Sequence, residues 1–327
     1  MVIELSVREE VLPLAGSFTI SRGSRTEIRV VTVELSDGKA RGRAECHPYP
    51  RYGESVASVI AAIEGKRAEI RSGMDRAALQ EAMAPGAARN ALDCALWDLE
   101  AKGAGMPVWK LAGLPAPGPV TTAYTLSLDS PAAMREQAAA NAHRPLLKIK
   151  LGGAGDIDRL RAVRDGAPKA RIITDANEGW TAEVYAEIAP ILRDLGVEMV
   201  EQPLPAGEDA ELARLDRILP VAADESCHDR ASLKALAGRY DMVNIKLDKT
   251  GGLTEALALK AEAERLGFSV MVGCMLGSSL AMAPAMLVAQ GAAIVDLDGP
   301  LLLAEDRAHG LRYEAGCVHP PEPALWG

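Results

Sequence analysis

The sequence predicts an α/β protein. A smaller α+β part comes first, and a barrel of parallel strands makes up most of the rest. Two observations carry this. Past a proline-rich break, Leu114-Pro115-Ala116-Pro117-Gly118-Pro119, short β-rich runs recur with helical stretches between them. There are eight such runs, the number that closes a barrel. A doubly wound sheet would also alternate, but it calls for a glycine fingerprint after its first strand, where this chain has Ser127-Leu128-Asp129-Ser130-Pro131. The expected domains are residues 1–117, joined by a tail at 300–327, and a barrel at 118–299.

In the first part, Thr26 to Leu35 is rich in β-branched residues and reads as a strand. Ser36-Asp37-Gly38-Lys39 is a turn, and Arg41 to Cys46 is the returning strand. Gly16 to Arg25 reads as a glycine- and serine-rich loop, and His47 to Ser55 as a proline-broken one. The two could form a lid or be plain surface connections. Ser55 to Arg67 and Ala87 to Lys102 have helical patterns, the second spacing Ala91, Leu92, Ala95, Leu96 and Leu99 along one face until Met106-Pro107 stops it.

The barrel runs are Val120 to Leu126, Leu146 to Leu151, Arg171 to Thr174, Val197 to Val200, Pro220 to Ala223, Met242 to Leu247, Phe268 to Val272 and Ala292 to Asp296. Seven helices are expected between them, among them Thr181 to Leu195, Asp229 to Ala237 and Leu253 to Leu266.

Composition narrows the function. The 327 residues are 48% hydrophobic and 25% charged, as in ordinary soluble chains, and the net charge of −9 disfavours nucleic acid as a partner. Five scattered cysteines without a CxxC pair argue against a disulfide framework or a zinc site. Residues 1 to 20 carry Glu4, Glu9 and Glu10 where a signal peptide would be basic and then apolar, and no apolar run has the ~20 residues of a membrane span. The expectation is a cytoplasmic chain with no membrane partner.

Chemistry concentrates at the strand ends, which form the active face of such a barrel. The second strand carries Lys148 and Lys150 on one face, an arrangement tolerable only where that face meets solvent or anions. Asp175, Glu201 and Asp224 end the third, fourth and fifth strands. Three neighbouring carboxylates repel unless a hard cation sits among them, and an all-oxygen set favours Mg²⁺ or Mn²⁺. Lys246 ends the sixth strand, across the mouth from Lys150. Two lysines near a cation should have lowered pKa values, and on opposite sides of one carbon they could remove a proton and return it. With a metal holding the neighbouring carboxylate, this is epimerisation through an enediolate.

The whole pattern resembles the muconate-lactonising-type branch of the enolase superfamily: KxK, then Asp, Glu and Asp, then Lys, and Asp296-Leu297-Asp298 on the eighth strand. The likeness extends to Ile20–Arg25, Pro48–Ser55, Ala87–Asp93 and Met242–Leu257. The fold it implies is a modified TIM barrel, (β/α)7β, with an α+β capping domain. Within the branch, the Asp296/Asp298 pair resembles the dipeptide epimerases.

That resemblance implies a Mg²⁺-dependent isomerase of L-Ala-D/L-Glu acting in murein peptide recycling, with one ion per subunit and Mn²⁺ as a substitute. It also implies the roles. Asp175, Glu201 and Asp224 would bind the metal, and Lys150 and Lys246 would be the acid/bases. Lys148 would pair with the substrate carboxylate, and Asp296 and Asp298 would take its ammonium. Arg25 would meet the glutamate side chain, with Arg22 and Arg51 as rivals, and Thr125 would offer a lesser hydrogen bond. Homo-oligomers are compatible with the likeness. A cycloisomerase, an N-acylamino acid racemase, an o-succinylbenzoate synthase, or a barrel that only binds remain alternatives. The effect of His47 in the lid stretch stays open.

Overall fold

The computed structural model describes residues 2–327. The chain opens with a three-stranded antiparallel sheet, Glu4–Ile20, Gly23–Ser36 and Arg41–Cys46, in sequence order. The first strand escaped the sequence reading. Its residues alternate weakly and much of its length is exposed, as an edge strand rich in charge would be.

Gly16 to Arg25 is not an irregular loop but the far end of a hairpin. Phe18 pairs with Arg25, Thr19 with Ser24 and Ile20 with Gly23, leaving Ser21-Arg22 as the turn. Gly23, at φ +141°, takes the backbone angle that tip requires. The helix Ala87–Ala104 packs on this sheet through its small residues. Contact is so close that a Cβ on Gly42 would lie 2.1 Å from the Ala95 carbonyl oxygen.

The eight parallel barrel strands are Tyr124–Leu126, Leu146–Lys150, Arg171–Asp175, Val197–Glu201, Val221–Ala223, Met242–Ile245, Ser269–Val272 and Ile294–Val295, hydrogen-bonded in that order. The Ala123 N–H donates to the Val295 carbonyl at 2.8 Å and joins the first strand to the eighth. The expected first run splits. Val120–Thr121 pairs instead with Cys317–Val318, which pairs with Tyr313–Glu314.

Seven full helices are also not what forms. Between the fourth and fifth strands the chain makes only a 3-10 segment, Asp209–Arg214. Between the fifth and sixth, the expected helix is a 3-10 turn, Arg230–Ser232, and a single α turn, Leu233–Leu236. Among the described residues no helix is long and apolar enough to cross a membrane.

The barrel interior has a floor. Ala123, Leu146, Ile173, Met199, Ala222, Met242, Met271 and Ile294, one from or beside each strand, form a buried cluster. Because side chains alternate along a strand, the residues two and four positions further on share that inward face. After the eighth strand the chain runs back to the first sheet and its helix. The Arg43 guanidinium donates to the carbonyls of Ala324 (2.8 Å) and Leu325 (2.9 Å). The Trp326 indole donates to the Cys94 carbonyl at 3.0 Å, and the Gly327 N–H to Asp98 at 2.7 Å.

Candidate functional site

Counting upward from the floor gives the site. Leu146 leads to Lys148 and Lys150, Ile173 to Asp175, Met199 to Glu201, Ala222 to Asp224, Met242 to Asn244 and Lys246, and Ile294 to Asp296 and Asp298. All of these polar residues are buried. The lysine face that needed solvent or anions meets anions.

One carboxylate oxygen from each of Asp175, Glu201 and Asp224 lies within 4.8 Å of the others. Lys148 Nζ is 2.8 Å from Asp296, 2.6 Å from Glu201 and 3.3 Å from Asp175. Lys150 Nζ is 2.7 Å from Asp175, and Lys246 Nζ is 2.7 Å from Asp224. The two lysines thus engage different acids of one cluster from opposite strands.

These three acids suit a hard cation. They are fully buried, all-oxygen and mutually close, and Glu201 Oε2 has no well-aligned hydrogen bond, only the charge of Lys148 2.6 Å away. Burial and the neighbouring Asp175 push the Glu201 carboxyl up to about 6. Burial works against charge at Asp175 and Asp224 as well, but Lys150 holds Asp175, and Lys246 and Lys249 hold Asp224, below the usual range.

In this structure Lys246 has acids around it that oppose the expected lowering, and Lys148 behaves in the same way. Burial disfavours their charge, yet Asp224 and Glu201 lift Lys246, and Asp296 and Glu201 lift Lys148, above the ordinary range. The sequence argument weighed a cation and a second lysine, whereas the nearest charges to each ammonium are carboxylates.

Three residues that hold the acids were not singled out from the sequence. Lys249 Nζ lies 2.6 Å from Asp224 Oδ1 and also donates to the carbonyls of Asp224 (2.5 Å) and Asn244 (2.9 Å). The Asn244 amide donates to Glu201 at 2.7 Å, and Asn177 donates to Asp175 through its backbone (2.8 Å) and its side chain (3.2 Å). For Asn244 a signal existed, since it stands two residues before Lys246 on the inward face.

Above the acids lies a pocket lined by Lys148, Lys150, Asp224, Lys246, Asp296 and Asp298 below and by the hairpin tip and the His47–Tyr52 stretch above. Both stretches left open between lid and surface connection therefore lie over the mouth. Arg22 donates to the Asn177 carbonyl (3.0 Å), the Tyr49 hydroxyl (3.1 Å) and Glu225 (2.9 Å). Arg51 forms a two-pronged pair with Glu178 at 2.8 and 2.7 Å.

Arg25 lines the same pocket, and no ion pair engages it among the described residues. Thr125 is drawn to Asp298, its N–H donating to Oδ2 at 2.6 Å. Burial and Asp296 push Asp298 up to about 7. Asp296 Oδ1 is buried and without a donor.

Comparison with known proteins gives matching assignments for both halves. Residues 2–113 match the mandelate racemase / muconate lactonizing enzyme N-terminal domain, and residues 132–324 match the enolase C-terminal domain-like family. The chain is 49% identical to the L-Ala-D/L-Glu epimerase of Escherichia coli, over 96% of this chain and 99% of that one. It is 45% identical to the N-acetyl-D-glutamate racemase of a Pseudoalteromonas species, over 91% and 95%.

Among solved structures, an enolase family member from Agrobacterium tumefaciens with homology to dipeptide epimerases, holding sodium and L-Ala-L-Glu, is similar at TM-score 0.98 and 57% identity. That match covers 99% of this chain and 100% of the other. The dipeptide epimerase of Enterococcus faecalis, complexed with Mg and L-Leu-L-Tyr, matches at TM-score 0.91 and 29% identity over 98% of each chain.

Proposed function

The chain belongs to the mandelate racemase / muconate lactonizing enzyme family of the enolase superfamily, and from that premise we propose that it is an isomerase that epimerises dipeptides, L-Ala-D/L-Glu first among them. One observation carries the reading. Lys150 and Lys246 come from opposite sides of one buried acidic cluster, each bonded to a different acid of it. A carbon held between them presents one face to each lysine.

Mg²⁺ held by Asp175, Glu201 and Asp224 would supply positive charge to the substrate carboxylate and offset the acids that keep Lys246 protonated. The amine of one lysine takes the α-proton of the second residue, and the ammonium of the other delivers a proton to the opposite face. For the reverse epimer the two exchange roles. Lys148, in contact with all of Asp175, Glu201 and Asp296, steadies the carboxylate side. The donorless Asp296 Oδ1, with Asp298 beside it, suits an α-ammonium. Arg25 is the free guanidinium for an acidic side chain, since Arg22 and Arg51 are held by Glu225 and Glu178. A cytoplasmic role in recycling murein peptides follows from that substrate.

A second reading, racemisation of N-acylated glutamate, draws on the Pseudoalteromonas relative. It leaves Asp296 and Asp298 without an ammonium to bind.

Proton NMR of L-Ala-L-Glu with the protein and Mg²⁺ in D₂O separates these readings. Loss of the glutamate α-proton with appearance of the D-epimer, abolished by EDTA, is the expected result. Turnover of N-acetylglutamate but not of the dipeptide would replace it with the racemase reading. Inertness toward both would remove the proton-transfer reading.

A further inference from the structure

His47 is buried, 5% exposed, and lines the pocket together with Arg25. It is held on two sides. Its backbone N–H donates to Asp248 at 3.2 Å, and its ring Nδ1 lies 2.6 Å from the Leu276 carbonyl oxygen, in the turn after the seventh barrel strand. A carbonyl oxygen only accepts, so Nδ1 carries the proton of the neutral ring and Nε2 is a bare acceptor. Burial, with the Arg25 charge adding to it, pushes the ring down to about 4, so it is neutral near pH 7. Nε2 has no hydrogen-bond partner among the described residues.

The upper end of the pocket thus combines a free guanidinium with a neutral lone pair. A carboxylate satisfies the first and not the second, because its oxygens offer no proton to Nε2. A carboxamide satisfies both, its oxygen accepting from Arg25 and its NH₂ donating to Nε2. We propose that His47 is a specificity residue that extends this site to dipeptides whose second residue ends in a carboxamide, with L-Ala-L-Gln the simplest. This rests on the epimerase reading and on Arg25 meeting the second residue's side chain.

The test is kcat/KM for L-Ala-L-Gln and L-Ala-L-Glu, measured side by side by α-proton exchange on the parent and on His47→Leu. The parent should turn over L-Ala-L-Gln within about tenfold of L-Ala-L-Glu. In the variant the Gln-to-Glu ratio should fall about tenfold, the loss of one hydrogen bond. Each ratio is taken on one protein sample, so partial misfolding cancels. A ratio unchanged by the substitution, or a parent that accepts Glu and refuses Gln, overturns the assignment and leaves the epimerase reading standing. A parent inert toward both dipeptides overturns the two together.

Discussion

Replacing Lys249 by methionine tests the least visible part of the acidic cluster. The lysine side chain is wholly buried, and its ammonium meets Asp224 Oδ1 and two backbone carbonyls. Methionine keeps most of the volume and removes the charge and all three donations. Stripping one partner from a buried ion pair costs about 3–5 kcal/mol. Asp224 retains Lys246 at 2.7 Å, which places the loss toward the lower end, about 3–4 kcal/mol. At about 2 °C per kcal/mol, the low end suited to a long chain, Tm should fall by about 6–8 °C. The melts belong in EDTA, because a cation on Asp224 would replace part of the lost charge. Scanning calorimetry of parent and variant gives the answer. A Tm within about 2 °C of the parent's, less than one hydrogen bond's worth, would refute the view that Lys249 holds the cluster together.

Other substitutions probe the remaining assignments. Glu201→Gln should weaken Mg²⁺ binding more than about 100-fold by isothermal titration, since even residues behind a metal ligand cost 10–100-fold. Arg25→Ala should lower kcat/KM for L-Ala-L-Glu about 10–100-fold, the loss of a charge-assisted bond. If instead only Arg22→Ala lost the preference for glutamate, Arg25 would be the wrong choice. The His47 ring supplies a pH dependence. Its folded value, about 4, lies below the ordinary 6.5, so the unfolded chain binds the proton first. Stability is full above about 6.5 and drains as pH falls toward 4, by up to about 3 kcal/mol. Urea melts of His47→Leu should show a shallower decline over that window.

How far the sequence could be read depended on whether a residue's position followed from strand periodicity. Lys148, Lys150, Asp175, Glu201, Asp224 and Asp296 lie on a period of two above an apolar floor, so their convergence was legible from spacing alone. Lys249 lies three residues past Lys246 on a single α turn, Leu247–Thr250, and a lone lysine there looks like a solvated one. The strand Glu4–Ile20 was hidden by its own exposure, and the hairpin tip by glycine and serine, which favour loops unless a partner strand is present. The 3-10 crossover at Asp209–Arg214 was misread because strand alternation suggests a helix at each return without requiring one. Which arginine stays free was out of reach as well, for it depends on Glu178 and Glu225 arriving from two other loops.

The clasp between the end of the chain and the first sheet bears on how the molecule comes to exist. Arg43, Cys94 and Asp98 leave the ribosome well before the carbonyls, indole and amide that they bond to at Ala324 to Gly327. At 5–20 residues per second the sheet-and-helix unit therefore waits on the order of ten to fifty seconds for its final contacts. The barrel closes in the same late interval, since Ala123 finds Val295 only after the intervening strands are made. Assembly of the pocket thus waits on synthesis of residues 294–327, and a chain stopped before them would lack the seam and the clasp at once.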